Sequence, residues 1–283
     1  MTAFTLNDLP RFSPWPARLL GLESCPQRRK TPAQVMREYE HEKWGPCLEK
    51  VRAAERSVAL QEVSEWMLKD LPPSLCSIEG NLELVTAMEG HRRYMELVRR
   101  TLEPYGSAPA LVELGAGYGA VLLGLAQMEP FNGMKIMAGE FSAAGVELLQ
   151  RLAGAQGVAI TAEHCDLASP HITDLAIPSD AIIFTSYATP YVPKLPTSFV
   201  ETLSALHPRV VVHFEPCYEH CERDTLIGLM RQRYIEVNDY NTNLVSLLRE
   251  HQQRGLINII EERPAVFGSN PLLPASLLVW APQ

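Results

Sequence analysis

Long apolar runs are missing from this 283-residue sequence. The longest, such as Ala120 to Ala126, is broken by Gly124 and falls far short of the ~18 residues a membrane-spanning helix needs, so no membrane partner is expected. Basic residues are in deficit, with 25 Lys plus Arg against 33 Asp plus Glu and a net charge of −8. That balance argues against nonspecific nucleic-acid binding, which depends on cations neutralising phosphates. There is no CxxC pair. The six cysteines (Cys25, Cys47, Cys76, Cys165, Cys217, Cys221) are scattered, which fits reduced thiols and a cytoplasmic location better than a disulfide framework. The order of a signal peptide is absent too, because Asp8, Pro10, Pro14 and Pro16 interrupt the N-terminus. Internal repeats and low-complexity tracts are lacking. What is present is an ordinary globular composition, 46% hydrophobic and 20% charged, enough for a sizeable core.

The first 30 or so residues, punctuated by Pro10, Pro14, Pro16 and Pro26, read as an extended arm with turns. From Thr31-Pro32 the pattern turns helical: an N-cap with Pro in the first turn, then Val35, Met36, Tyr39 and Trp44 at helical spacing. Further helices are expected over about 47–71, ending at Pro72-Pro73, and about 82–102. Beyond Pro104 and Gly106 the period changes. Short apolar runs at 110–114, 134–139, 158–162, 181–186, 210–214 and 257–260 are mostly separated by helical segments, which implies a mainly parallel sheet covered on both faces. A last run, 276–280, follows through a loop (262–275) too short for a helical crossover and should return antiparallel. The expected fold is α/β: a doubly wound, mostly parallel seven-stranded sheet with a C-terminal antiparallel hairpin (106–283), preceded by an arm and helical cap (1–105).

The segment Leu111-Val-Glu-Leu-Gly115-Ala-Gly117-Tyr118-Gly119-Ala120 is a buried strand, a glycine turn and a helix start. Glycine suits such a turn because positive φ angles carry no Cβ penalty and a ligand can approach the backbone. On its own it also satisfies a relaxed dinucleotide fingerprint, Gly115-x-Gly117-x-x-Ala120, so an NAD(P)-dependent oxidoreductase stays open. Three acids are phased to strand ends: Glu113 two residues before Gly115, Glu140 ending the second strand, and Asp166 after the third. With these, the segment resembles motif I of the class I S-adenosylmethionine (SAM)-dependent methyltransferases, and the likeness covers roughly Pro109 to Trp280.

The resemblance implies SAM as methyl donor, with S-adenosylhomocysteine (SAH) as product. It places Gly115, Ala116, Gly117, Tyr118 and Gly119 against the methionine and ribose parts, with Glu113 near the ammonium. Glu140, with Phe141 beside it, would take the ribose hydroxyls; Asp166, with Leu167, would meet the adenine amino group. Ser186 and Tyr187, after the fourth strand, would lie near the transferring methyl.

Ligands of open α/β sheets bind beyond the carboxyl ends of the strands, which puts Glu215, Tyr218, Glu219, His220 and Asn270 on acceptor-side loops. Glu215 ends an apolar strand, where an unpaired carboxylate is costly. A cationic substrate is one partner that would satisfy it. Glu215 is therefore the first candidate for binding and deprotonation, with His213 or His220 as alternative bases and Tyr187 as a polar contact. His213, Cys217, His220 and Cys221 match no zinc spacing, and no metal is expected. Tyr39 and Trp44, with Tyr94 on the third helix, are the cap residues placed to reach the pocket. The expected activity is methylation of a small molecule, the sharper expectation being N-methylation of an amine or guanidino acceptor in specialised metabolism. O-methylation, an aminopropyl-transferring relative and a noncatalytic SAM-binding module are the alternatives, and a homodimer is compatible with the sequence.

Overall fold

The computed structural model describes residues 4–25 and 30–283; Pro26 of the arm lies outside the described residues. The arm is not extended. It folds into a 3-10 turn (Leu6–Arg11) and helix α1 (Trp15–Leu19), which pack against a late helix, α9 (Leu226–Asn238), with Trp15 edge-on to Tyr234 at 4.6 Å.

Helix α2 (Pro32–Arg37) starts where expected, the Thr31 hydroxyl accepting the Gln34 N–H at 3.3 Å. It runs into a π-helical turn, Glu38–Lys43, before α3 (Trp44–Ala53). The wider turn has a local cause. Pro46 has no N–H to give the preceding turn, and the Trp44 N–H reaches back five residues to the Tyr39 carbonyl. At Gly45 a Cβ would lie 2.4 Å from the Glu40 carbonyl oxygen, so the close approach needs glycine.

Two expectations for this half are corrected. The helix expected over 47–71 is divided, because α3 ends at Ala53 and α4 spans Leu60–Leu68. The helix expected from residue 82 begins later: β1 (Ser74–Ile78) and β2 (Asn81–Val85) form a hairpin around Glu79 and Gly80, both left-handed, and α5 (Ala87–Leu102) follows with Thr86 as its cap. The segment before residue 106 is therefore not helical alone.

The sheet among the described residues has nine strands rather than seven, in the order β2-β1-β8-β9-β7-β6-β3-β4-β5. Strands β3 (Ala110–Leu114), β4 (Lys135–Glu140), β5 (Ile160–His164), β6 (Ile182–Ser186) and β7 (Val210–Pro216) are parallel. Strand β9 (Ala275–Pro282) returns antiparallel between β7 and β8 (Ile257–Gly268), as the short connection requires. Strand β8 is longer than the apolar run 257–260 because two bulges carry it through a polar stretch to Gly268, where it pairs with β1.

Both faces of the parallel part are covered. Helices α5 and α6 (Ala120–Leu125) bury Val98, Leu102 and Leu122 against Phe184 and Val212 on one side. Helices α8 (Phe199–Ser204) and α10 (Leu244–Gln253) bury Phe199, Leu203 and Leu248 against Ile183 and Trp280 on the other. The order in which strands are added reverses between β3 and β6, β4 and β5 extending the sheet to one side and β6 and β7 to the other, and the crevice at that switch point is where an open α/β sheet receives a ligand. Among the described residues no helix is long and apolar enough to cross a membrane.

Candidate active site

The glycine loop leaves β3 with left-handed φ angles of 83° at Gly115, 56° at Gly117 and 82° at Gly119. It is tied to β4, whose Gly139 carbonyl accepts the N–H groups of Gly115 and Ala116 at 2.8 and 2.9 Å. Space as well as conformation demands glycine: a Cβ at Gly115 would lie 2.3 Å from that of Ala188, and one at Gly117 would lie 3.0 Å from the Trp44 indole. Gly119 is the left-handed cap of α6 and sits beneath the loop against Leu149.

Three carboxylates surround this loop. Glu140 accepts the Gly117 N–H at 2.9 Å on one oxygen and the Ser142 N–H and hydroxyl at 3.0 and 2.8 Å on the other. Asp166 accepts the Ala168 N–H at 2.9 Å. Glu113 is buried, accepts the Leu122 N–H at 3.2 Å, and is pushed well above the usual carboxylate range, first by burial and then by its acidic neighbours Glu140 and Glu215.

A cavity of about 330 Å³ opens over these groups. Its floor is Gly115 to Tyr118, its sides are Glu140, Phe141, Asp166 and Leu167 to one hand and Ser186, Tyr187 and Tyr191 to the other, and its roof is Val35, Tyr39 and Trp44. Phe141 lies beside the His164 ring at 5.8 Å. Ser186 shares a 2.6 Å hydrogen bond with the Tyr94 hydroxyl, so the third-helix tyrosine supports the wall from behind. Tyr187 is left-handed at φ 51°. Its hydroxyl is used up within the protein, donating to the Phe267 carbonyl at 3.0 Å and accepting the Ala275 N–H at 3.2 Å, so only the ring faces the cavity.

The roof is aromatic. Trp44 lies 5.3 Å from Tyr118 and 6.0 Å from Tyr39, and Tyr39 is edge-on to Tyr191 at 5.5 Å. Over the outer tyrosines sit two ammonium groups: Lys43 Nζ is 4.1 Å from the Tyr39 centroid and Lys30 Nζ is 5.2 Å from that of Tyr191. Both lysines pair with Glu38. The roof is fastened to the sheet domain by Glu40, which accepts the Ala144 N–H at 2.9 Å in the first turn of α7 (Ala143–Gln156). In the roof one polar atom is left over, the buried Trp44 Nε1, which has no hydrogen-bond partner among the described residues. A buried unpaired N–H costs about 1–3 kcal/mol.

The acceptor-side residues expected from the β7 loop are not brought together here. Glu215 is fully buried, and its carboxylate accepts the N–H of Ala188 (2.9 Å) and both the N–H and hydroxyl of Thr189 (3.2 and 3.0 Å). The partner such a strand-end acid requires is the backbone after β6 and not a substrate. His213 is equally buried: Trp280 Nε1 donates to its Nε2 at 3.0 Å, which leaves Nδ1 to donate to the Thr185 hydroxyl at 3.0 Å. Burial pushes its pKa down to about 3, so it neither faces the cavity nor holds a proton near neutrality. His220 is clasped between Ser276 (2.8 Å) and Glu262 (2.9 Å) on the far side of β7. Tyr218 donates to Glu236, Glu219 takes the N–H and hydroxyl of Ser246, and Asn270 takes the Leu272 N–H. Val35, Ala188, Tyr191 and Val192, which sequence reasoning missed, line the cavity instead. The left-handed Tyr187 turn places the last three there, and no local motif announces it.

The residues present fit a nucleoside-bearing cation. Acids stand at the ends of three neighbouring strands, a glycine floor leaves room for a ligand, and no Lys, Arg or His is among the described residues lining the cavity. At the sequence level, no family model and no curated protein matches the chain. Solved structures do resemble it. Magnesium protoporphyrin IX methyltransferase from Synechocystis PCC 6803, with bound SAH, superimposes with a TM-score of 0.53 at 16% identity, covering 89% of this chain and 100% of that one. A candidate sarcosine dimethylglycine methyltransferase from Galdieria sulphuraria gives 0.51 at 14% identity, covering 71% and 88%. The small RNA methyltransferase HEN1 gives 0.50 at 16%, covering 68% of this chain and 25% of that one. The fold is that of the class I methyltransferases.

Proposed function

We propose that this protein is a SAM-dependent methyltransferase acting on a small molecule. The observation that carries the reading is the convergence of Glu113, Glu140 and Asp166 on a glycine loop whose first two glycines, Gly115 and Gly117, are enforced by Ala188 and Trp44 on the two sides of the cavity. Beyond its three protein contacts Glu140 retains one acceptor site, on the oxygen that takes the Gly117 N–H, with which to accept a ribose hydroxyl. Asp166 would take the adenine amino group, while Leu167 and Phe141 give the ring its apolar walls. SAM, when bound, supplies a methyl on a sulfonium, the electrophile of the reaction. The protein's part is to align an acceptor with it and to keep water out, which the Tyr39 and Trp44 roof does.

The acceptor side supports an uncharged, largely apolar acceptor methylated on a hydroxyl over the amine or guanidine expected from sequence. That earlier expectation leaned on a free Glu215 carboxylate, and the carboxylate is held by Ala188 and Thr189. The remaining walls, Val35, Tyr187, Tyr191 and Val192, present rings and methyl groups, and the tyrosine faces already carry the cations of Lys30 and Lys43. For a hydroxyl acceptor the proton is released to solvent as the methyl–oxygen bond forms and the sulfonium–methyl bond breaks, and the Tyr191 hydroxyl, which accepts from Lys43 Nζ at 3.5 Å and keeps its own O–H, can orient the acceptor oxygen. The enclosed roof and the net charge of −8 favour a small acceptor over RNA.

Calorimetry with SAM, SAH and NAD tests the donor, and methyl-labelled SAM with panels of phenols, alcohols, amines and guanidines tests the acceptor. The expected result is binding of SAM and SAH with transfer to phenols or alcohols. Binding of NAD without SAM would overturn the reading.

A further inference from the structure

Trp44 sits where the roof meets the glycine floor: its ring carbon Cζ2 is what a Cβ on Gly117 would strike at 3.0 Å, and Cε2, bonded to Nε1, lies at 3.6 Å. Of the buried side-chain N and O atoms without a partner among the described residues, Trp44 Nε1 alone belongs to a residue lining the cavity. An indole N–H can only donate, so its missing partner is an acceptor atom. The backbone that carries it is unusual as well. The π-helical turn Glu38–Lys43 ends on Trp44, and Glu40 within that turn anchors the roof to α7.

Resting on the reading of the site as a SAM pocket, we infer that the Trp44 indole N–H is the side-chain donor for the carboxylate of the ligand's amino-acid half. Such a donor suits the cavity, since none of the described residues lining it is cationic and two of its hydroxyls already have protein partners. Ser186 bonds Tyr94, and Tyr187 bonds Phe267 and Ala275. The roof thereby becomes part of the donor site: a ligand with the carboxylate engages Trp44, and one without it leaves the N–H unpaired.

Titration calorimetry of the wild type and Trp44→Phe with SAM and with decarboxylated SAM, which differ only in the carboxylate, tests this as a double-mutant cycle. Phenylalanine keeps a ring against Gly117 and removes the N–H. The wild type should bind SAM at least tenfold more tightly than the decarboxylated form, and Trp44→Phe should lose most of that preference, its affinity for SAM falling at least fivefold more than its affinity for decarboxylated SAM. Equal weakening toward both ligands would make Trp44 a packing residue and overturn the inference, as would an unchanged preference. A wild type that binds neither ligand would instead overturn the SAM reading beneath it.

Discussion

Glu215 accepts the Ala188 N–H at 2.9 Å, and Ala188 is the residue whose Cβ comes within 2.3 Å of where a side chain on Gly115 would begin. The acid ending β7 thus sets the position of the β6 turn, and that turn sets the clearance over the glycine loop. Burial pushes the Glu215 carboxyl up to about 7, against its ordinary 4.5, even though hydrogen bonds from Thr185, Ala188 and Thr189 pull the other way. Because the folded state holds this proton more tightly than the unfolded chain, the stabilising contribution is full below pH 4.5 and is lost as the pH rises through 7. Over that window the loss is roughly 3 kcal/mol. Glu215→Gln has no such titration, so urea unfolding of both proteins from pH 4.5 to 8 should show the wild type losing about that much relative to the variant. A difference that does not change with pH would sink the assignment.

The clearance itself can be measured. Gly133 has φ 85° with nothing within 4 Å of an added Cβ, so Gly133→Ala should cost only the left-handed penalty of about 1–2 kcal/mol. Gly115→Ala carries the same penalty and also displaces Ala188 from Glu215, so about 2–5 kcal/mol is expected, together with loss of SAM binding. Similar costs for the two variants would mean that the 115–188 approach does not constrain the loop.

The parallel half of the sheet was legible because its strands are buried on both faces and appear as short apolar runs between helices. The β1–β2 hairpin was not. Leu75, Leu82 and Leu84 alternate with polar residues over short stretches beside a helix, and the Glu79-Gly80 turn lacks the Asn-Gly or Asp-Gly signature. The donor half of the cavity was legible because its glycines and acids are local features, each tied to a strand end. The acceptor half is built from segments about 150 residues apart, Tyr39 meeting Tyr191, and it depends on a left-handed Tyr187 that sequence does not disclose. Glu215 was singled out correctly as an acid needing a partner. That its partner is backbone follows from the same turn.

His220 provides the complementary test, since the sequence offered it as a base and the structure gives both its ring nitrogens to protein groups. Ser276 and Glu262 hold it at 2.8 and 2.9 Å across two antiparallel strands. Asparagine cannot span that gap, so His220→Asn should lower stability by about 1–3 kcal/mol in chemical denaturation. Its SAM affinity and turnover should stay within twofold of wild type. A large loss of turnover in a normally stable variant would return His220 to the active site.

Glu140 separates the two ends of the donor pocket. Its carboxylate orders the glycine loop through Gly117 and the start of α7 through Ser142, and in the proposed complex its remaining acceptor site takes a ribose hydroxyl as well. Glu140→Gln retains the shape but turns one oxygen into a donor facing the N–H of Gly117 or Ser142. Charge-assisted bonds from ribose to carboxylate are worth more than their neutral counterparts, so affinity should fall roughly tenfold or more. The loss should be the same for SAM and for adenosine, because both carry the ribose. That equality is the check: calorimetry showing weakened SAM binding with adenosine unaffected would place the ribose elsewhere, and the strand-end acid would be a loop support alone.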